Sequence, residues 1–197
     1  MIAPRAFALT LLTTLSLVLP STALAQDPTG GVAAPGPVPV NPAPTNIVVP
    51  GTVAKLLPDG TAAAPALAPP QVQQAIWAAN TLQRKPYIYG GGHRSFKSRG
   101  YDCSGTVSFA LHAAGLLTSP LDSSSFMTWG ARGRGHWITI FTNPGHAYAM
   151  IAGLRLDTSS AGVSSARYGA KATQSGPRWR PTRRSSRGYR LRHPVGF

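Results

Sequence analysis

Regular alternation of apolar and polar residues begins near Gln71 and picks out the elements of a folded domain. In PPQVQQAIWAANTLQRKP, Val72, Ala75, Ile76, Ala79 and Leu82 recur at helical spacing, with Pro70 ahead and Pro86 ending the run. That spacing predicts a first core helix. YIYGGG then reads as a short extended piece entering a glycine-rich turn, and HRSFKSRG as a basic loop. In DCSGTVSFALHAAG the apolar positions Val107, Ala110, Leu111 and Ala114 share one face. An N-cap residue stands before them and Gly115 after them, which predicts a helix of about three turns with Cys103 at its start. HWITIFT and HAYAMIAGLRLDTS are β-rich runs separated by the turn NPG, and Gly153 marks a second turn. The stretch from Arg167 to Phe197 interleaves aromatic and aliphatic residues with basic ones and is expected to supply one more strand.

The first 70 residues lack this periodicity. Arg5, an apolar run from Ala6 to Leu19, Pro20 and then Ala23-Leu24-Ala25 have the layout of a secretory signal peptide over 1–25. An uncleaved anchor is the competing reading, although the run is short for a membrane span. No other segment reads as a span. Residues 26–70 are rich in Pro, Ala, Gly, Val and Thr and are expected to be a flexible or semi-rigid spacer. Within it, TNIVVPGTVAKLLPDG is the stretch with some strand or docking character. The folded domain is then 71–197, large enough for a single core.

Charge adds a second constraint. Lys and Arg number 19 against 5 acidic residues, a formal charge of +14, and no acidic residue follows Asp157. Such a balance suits a polyanionic partner (a wall polymer, a nucleic acid or an anionic membrane surface), or simply keeps an exported protein soluble. Nothing in the sequence points to specific nucleic-acid recognition.

An exported chain normally uses cysteines in pairs, but this one has only Cys103. A lone thiol is an intermolecular bridge, an inert buried residue or a reactive group. Its place at a helix start favours the last, because unpaired N–H groups there stabilise a thiolate. A nucleophilic thiol also needs an imidazole within reach. Of the five histidines, His112 lies in the same helix about two and a half turns from Cys103. His93 sits in the basic loop, and His193 precedes Pro194 near the end. His136 and His146 begin strands, and His146 is preferred because it shares a strand face with Tyr148 and Met150. If the chain turns at Gly153, Asp157 comes beside His146 and can orient its ring. No dense His, Cys and carboxylate cluster with metal-ligand spacing is present, so neither metal nor cofactor is expected.

RKPYIYGGG, YDCSGTVSFALHAAGL and GHAYAMIAGLRLDTS, in that order, resemble the NlpC-type cell-wall peptidases over most of the folded part, from about Gln71 to Ser159. The resemblance implies an α+β, papain-like fold with N-terminal helices packed on an antiparallel sheet. It implies hydrolysis of peptidoglycan stem peptides, between D-γ-glutamate and a diamino acid, by a secreted, monomeric enzyme of the cell envelope. Cys103 would be the nucleophile, His146 the base and acid, and Asp157 the orienting group, where the family commonly has His, Asn or Gln. Asp102 and Ser104 would bind the free amino end of the stem peptide, with Tyr87 or Tyr89 lining that end of the cleft. The plainer readings are helix caps for the first two and core or strand residues for the tyrosines. An amidase or acyltransferase on the same fold, and a non-catalytic basic module that binds the wall, remain as alternatives.

Overall fold

The computed structural model describes residues 46–159, 176–181 and 184–197. The segment expected to be a signal peptide, and the spacer up to residue 45, lie outside the described residues. Residues 46–70 belong to the folded part of the chain, a correction to the spacer's expected boundary. Strands β1 (Val48–Val49), β2 (Lys55–Leu56) and β3 (Ala62–Pro65) form a small sheet in the order β1-β3-β2. Its centre is fully buried at Ala63 and Ala64. Alanines bury little area each, so the composition resembles that of a spacer. They nevertheless let β3 lie close against the first helix, α1 (Pro70–Asn80). Asn80 ties the two together: its amide accepts from the Ala62 N–H at 2.8 Å and donates to the Ala62 carbonyl at 2.9 Å. The same Oδ1 accepts from Trp179 Nε1 at 2.7 Å, linking α1 to a distant C-terminal strand.

The second helix, α2 (Cys103–Ala113), starts where the sequence predicts. The Asp102 side chain accepts from the Gly105 N–H at 2.8 Å, and Gly115 has the positive φ of a helix stop. A short third helix, α3 (Ser123–Phe126), comes next. Then come β4 (Ala131–Arg132), β5 (Ile138–Asn143), β6 (His146–Ile151), β7 (Leu154–Asp157), β8 (Arg178–Arg180) and β9 (Arg190–His193). They form a sheet of order β4-β9-β5-β6-β7-β8 with every pair antiparallel. The fold is therefore α+β, with helices that precede the sheet in sequence packed on one of its faces. The C-terminal stretch contributes β8 and β9, one strand more than its pattern predicts.

Strand alternation sorts the sheet. Ile138, Ile140, Ala147, Ala149, Ile151, Leu154, Leu156 and Trp179 join Val72, Ile76, Val107 and Leu111 of the helices in the core. The opposite face carries Phe141, Tyr148, Arg155 and Asp157, all buried. Between β6 and β7 the chain turns on two residues of positive φ, Ala152 at 45° and Gly153 at 89°. A two-residue turn of that kind fixes the register of the hairpin.

The other fixed point is glycine-dependent. Asp102 N–H donates to the Gly91 carbonyl at 3.1 Å, which lays the glycine-rich turn directly on the start of α2. A Cβ at Gly105 would stand 2.0 Å from the Gly91 oxygen, and both groups are backbone, so neither can swing aside. Gly105→Ala is accordingly expected to destabilise the fold by about 1–3 kcal/mol. Thermal unfolding checks this, and a melting temperature equal to the parent's would refute the close-packing argument.

Candidate active site

The hairpin brings together the residues that the sequence left eleven positions apart. Continuing the β6–β7 register sets Asp157 level with Tyr148, one pleat repeat from His146 and on the same face. His146 Nε2 lies 2.9 Å from Asp157 Oδ1. Asp157 is buried, and its Oδ1 also accepts from the Ser159 N–H at 2.8 Å. Its other oxygen stands 3.5 Å from Arg155 Nε and 3.5 Å from Arg184 Nη1. Two guanidinium groups and the imidazole thus surround the buried carboxylate.

Cys103, a free thiol at the first position of α2, is near enough to the same His146 ring to favour positive charge on it. With Nε2 engaged by Asp157, Nδ1 is the nitrogen left for sulfur. Burial works against charge on His146. The hydrogen bond to Asp157, and the attraction of Asp157 and Cys103 for a cation, outweigh it and raise the pKa from 6.5 to about 9. A raised histidine pKa stabilises the fold fully below pH 6.5, and that contribution is lost as pH rises through about 9.

A cavity of about 390 Å³ opens beside the thiol. Tyr87 and Tyr89 stand on its rim rather than in a core or strand, Tyr89 almost wholly exposed. Burial, then the nearby Cys103 and Asp102, raise the pKa of Tyr87 above 10. Asp102 and Ser104 line the cavity but are buried and already bonded. Asp102 Oδ1 accepts from Gly105 N–H and, at 3.2 Å, from Ser104 Oγ, while Oδ2 accepts from Gly90 N–H at 3.0 Å.

Two cavity residues, His93 and Asp122, are not assigned to the site by the sequence. His93 does not stay with the basic loop: its Nε2 lies 2.9 Å from Ser104 Oγ and 2.9 Å from Asp102 Oδ2. The turn at 90–92 carries it there, and only the run of three glycines hinted at such a turn. Asp122 caps α3, accepting from Ser125 N–H at 2.6 Å, and faces the cavity from the far side. That hydrogen bond, and more weakly the charge of His93, hold its carboxyl below 3.8. The other histidines do structural work or lie elsewhere. His112 stacks on Phe96 with ring centroids 3.7 Å apart and bonds the Leu117 carbonyl. His193 meets the Gly133 carbonyl at 3.2 Å. Among the described residues, no group of three or more His, Cys, Asp or Glu is placed to hold a metal ion.

A thiol at a helix start that opens on a cleft, with a nearby imidazole bonded to a buried carboxylate, is a constellation able to perform nucleophilic acyl chemistry. No family model matches the chain, and no curated protein matches its sequence. Solved structures do match, and they are NlpC/P60 proteins, peptidoglycan hydrolases among them. The peptidoglycan hydrolase RipB from Mycobacterium tuberculosis is 20% identical, with a TM-score of 0.45 over 64% of this chain and 66% of that one. The matched region spans just under two thirds of RipB. An NlpC/P60 family protein from Bacillus cereus is 19% identical, with a TM-score of 0.46 over 66% of this chain and 42% of that one. RipD from Mycobacterium tuberculosis, a non-catalytic NlpC/p60 domain protein adapted to peptidoglycan binding, is 16% identical. Its TM-score is 0.44, over 65% of this chain and 100% of its own.

Asp157→Asn removes the charge that holds the imidazolium. The His146 pKa is expected to fall from about 9 towards 6.5, read by NMR titration of the ring protons. A titration that stays near 9 would show that Asp157 does not set it.

Proposed function

We propose that this chain is a cysteine peptidase of the bacterial cell wall that hydrolyses peptidoglycan stem peptides. The observation that carries the reading is the row Cys103–His146–Asp157, with the thiol at the start of α2 and facing the 390 Å³ cleft. A module that only binds the wall has no use for a thiol held against an imidazole that a buried carboxylate orients.

Cys103 attacks the carbonyl carbon of the scissile amide. The helix start, including the Cys103 N–H, faces the oxyanion that forms. His146, kept as imidazolium by Asp157, gives its proton to the leaving amine, and the C–N bond breaks to leave a thioester. Water enters, His146 takes one of its protons, and attack of the hydroxide on the thioester breaks the C–S bond, freeing the acid and restoring the thiolate beside the imidazolium. Asp157 stays ionised throughout and fixes the ring so that Nδ1 faces sulfur.

The acyl side of the substrate occupies the cavity between Tyr87 and Asp122. A short peptide with a free amine fits there. Asp122 is the carboxylate with room for a cation, whereas Asp102 is engaged by backbone N–H groups and His93, and acts by holding Ser104 and His93 in place. The scissile bond we infer is that between D-γ-glutamate and the diamino acid. The enzyme is exported through its N-terminal segment, works as a monomer in the envelope without metal or cofactor, and is retained on anionic polymer by its charge of +14.

Purified peptidoglycan incubated with the wild-type chain should release fragments whose masses place a new carboxyl on D-glutamate. Cys103→Ala and His146→Ala should each lower the rate by at least about a thousandfold. Equal release by Cys103→Ala would refute the reading, binding without release in the wild type would favour the wall-binding module, and fragments cut at another amide would assign an amidase.

The amine reading of Asp122 has its own check. Asp122→Asn should raise KM about tenfold for a stem peptide with a free N-terminus and leave KM unchanged for the N-acetylated peptide. Equal effects on both would remove Asp122 from amine recognition.

A further inference from the structure

A second cavity, of about 260 Å³, lies on the outer face of the large sheet, and none of its lining residues lines the cleft at the thiol. Its floor is the cross-strand pair Phe141 and Tyr148, whose rings stack with centroids 4.7 Å apart. Arg134 stands at one side, its guanidinium carbon 5.4 Å from the Phe141 ring centre, with His136 beside it. Arg184 stands at the other, 5.7 Å from the Tyr148 ring centre. Among the described residues, none that lines the space is acidic.

Two polar atoms there make no hydrogen bond to the described residues. Tyr148 is 1% exposed and its hydroxyl makes no hydrogen bond. Arg184 Nη1, though 3.5 Å from Asp157, makes none either. A buried hydroxyl normally finds a partner, because leaving it bare forfeits its hydration. Burial is also the largest influence raising the Tyr148 pKa to about 12, so the group stays a neutral donor at any working pH. A donor hydroxyl and guanidinium N–H groups around one space match an oxyanion, which accepts from both kinds of donor.

We propose that this cavity is a binding site for an oxyanion carried on a sugar-sized body, distinct from the Cys103 cleft. The anion accepts from the Tyr148 O–H and from Arg184, and Arg134 and His136 at the open side add positive charge. The body rests against the aromatic and apolar lining of Phe141 and Met150. The volume admits a single ring with its substituent, so a polymer would insert one residue rather than thread through. The proposal stands whether or not the chain hydrolyses peptides.

Calorimetric titration of the full chain with glucuronate, glucose 6-phosphate and glucose tests it, because these share a ring and differ in the anion. At least one anion should bind about tenfold or more tightly than glucose, with affinity falling as salt rises. The better of the two identifies a carboxylate or a phosphate source. Arg134→Gln, at an exposed position, should weaken that anion about tenfold, and Tyr148→Phe, which keeps the ring, about fivefold. Alkylation of Cys103 should leave binding unchanged. The proposal is overturned if neither anion outbinds glucose, if both variants bind like the parent, or if alkylation abolishes binding.

Discussion

The site depends on the backbone contact between the glycine turn at 90–92 and the first turn of α2. Asp102 makes that contact from both sides. Its carboxylate accepts from Gly90 and Gly105, and its own N–H donates to Gly91. Only glycine at 105 allows the two backbones to approach this closely. Cys103 follows the cap directly, so the bond that begins the helix also fixes the sulfur. The same turn delivers His93 to Ser104 and sets Tyr87 on the rim.

The partner half of the site rests on a separate constraint, the hairpin turn at Ala152 and Gly153. A shift of one residue there would flip Asp157 to the core face and strand an unpaired carboxylate among Leu156 and Trp179. With the register as it is, Asp157 is enclosed by His146, Arg155 and Arg184, and its charge is balanced on the side away from the thiol. The imidazole is thereby held protonated at neutral pH. Two rigid features, one at a helix start and one at a strand turn, thus meet at a single hydrogen-bonded ring.

Much of this was legible in the sequence because its signals were strong and local. Val72, Ala75, Ile76 and Ala79 do line the buried face of α1, and the Asp102 cap and Gly115 stop do bound α2. The placement of Cys103 at the start of α2 and of Asp157 beside His146 was legible because helix start, strand start and turn glycine each leave a recognisable mark. Strands β1 and β2 lie in TNIVVPGTVAKLLPDG, the stretch with strand character, but β3 was hidden because Ala62 to Ala64 pack by being small, and small residues next to prolines look like a spacer. His93 was discounted among the basic residues of its loop, since its role comes from a turn and two distant partners. The outer-face cavity draws on strands β5 and β6 and on Arg184, and no local pattern signals such a meeting.

The central claim is that Cys103 forms a covalent acyl intermediate with a wall peptide. Intact-mass spectrometry of the protein, quenched by acid within a turnover of mixing with a stem peptide, tests it directly. The account predicts an adduct with the mass of the acyl half of the peptide, mapped to Cys103 and absent from Cys103→Ala. Cleavage that proceeds with no adduct on Cys103, or an adduct mapped to another residue, would contradict it.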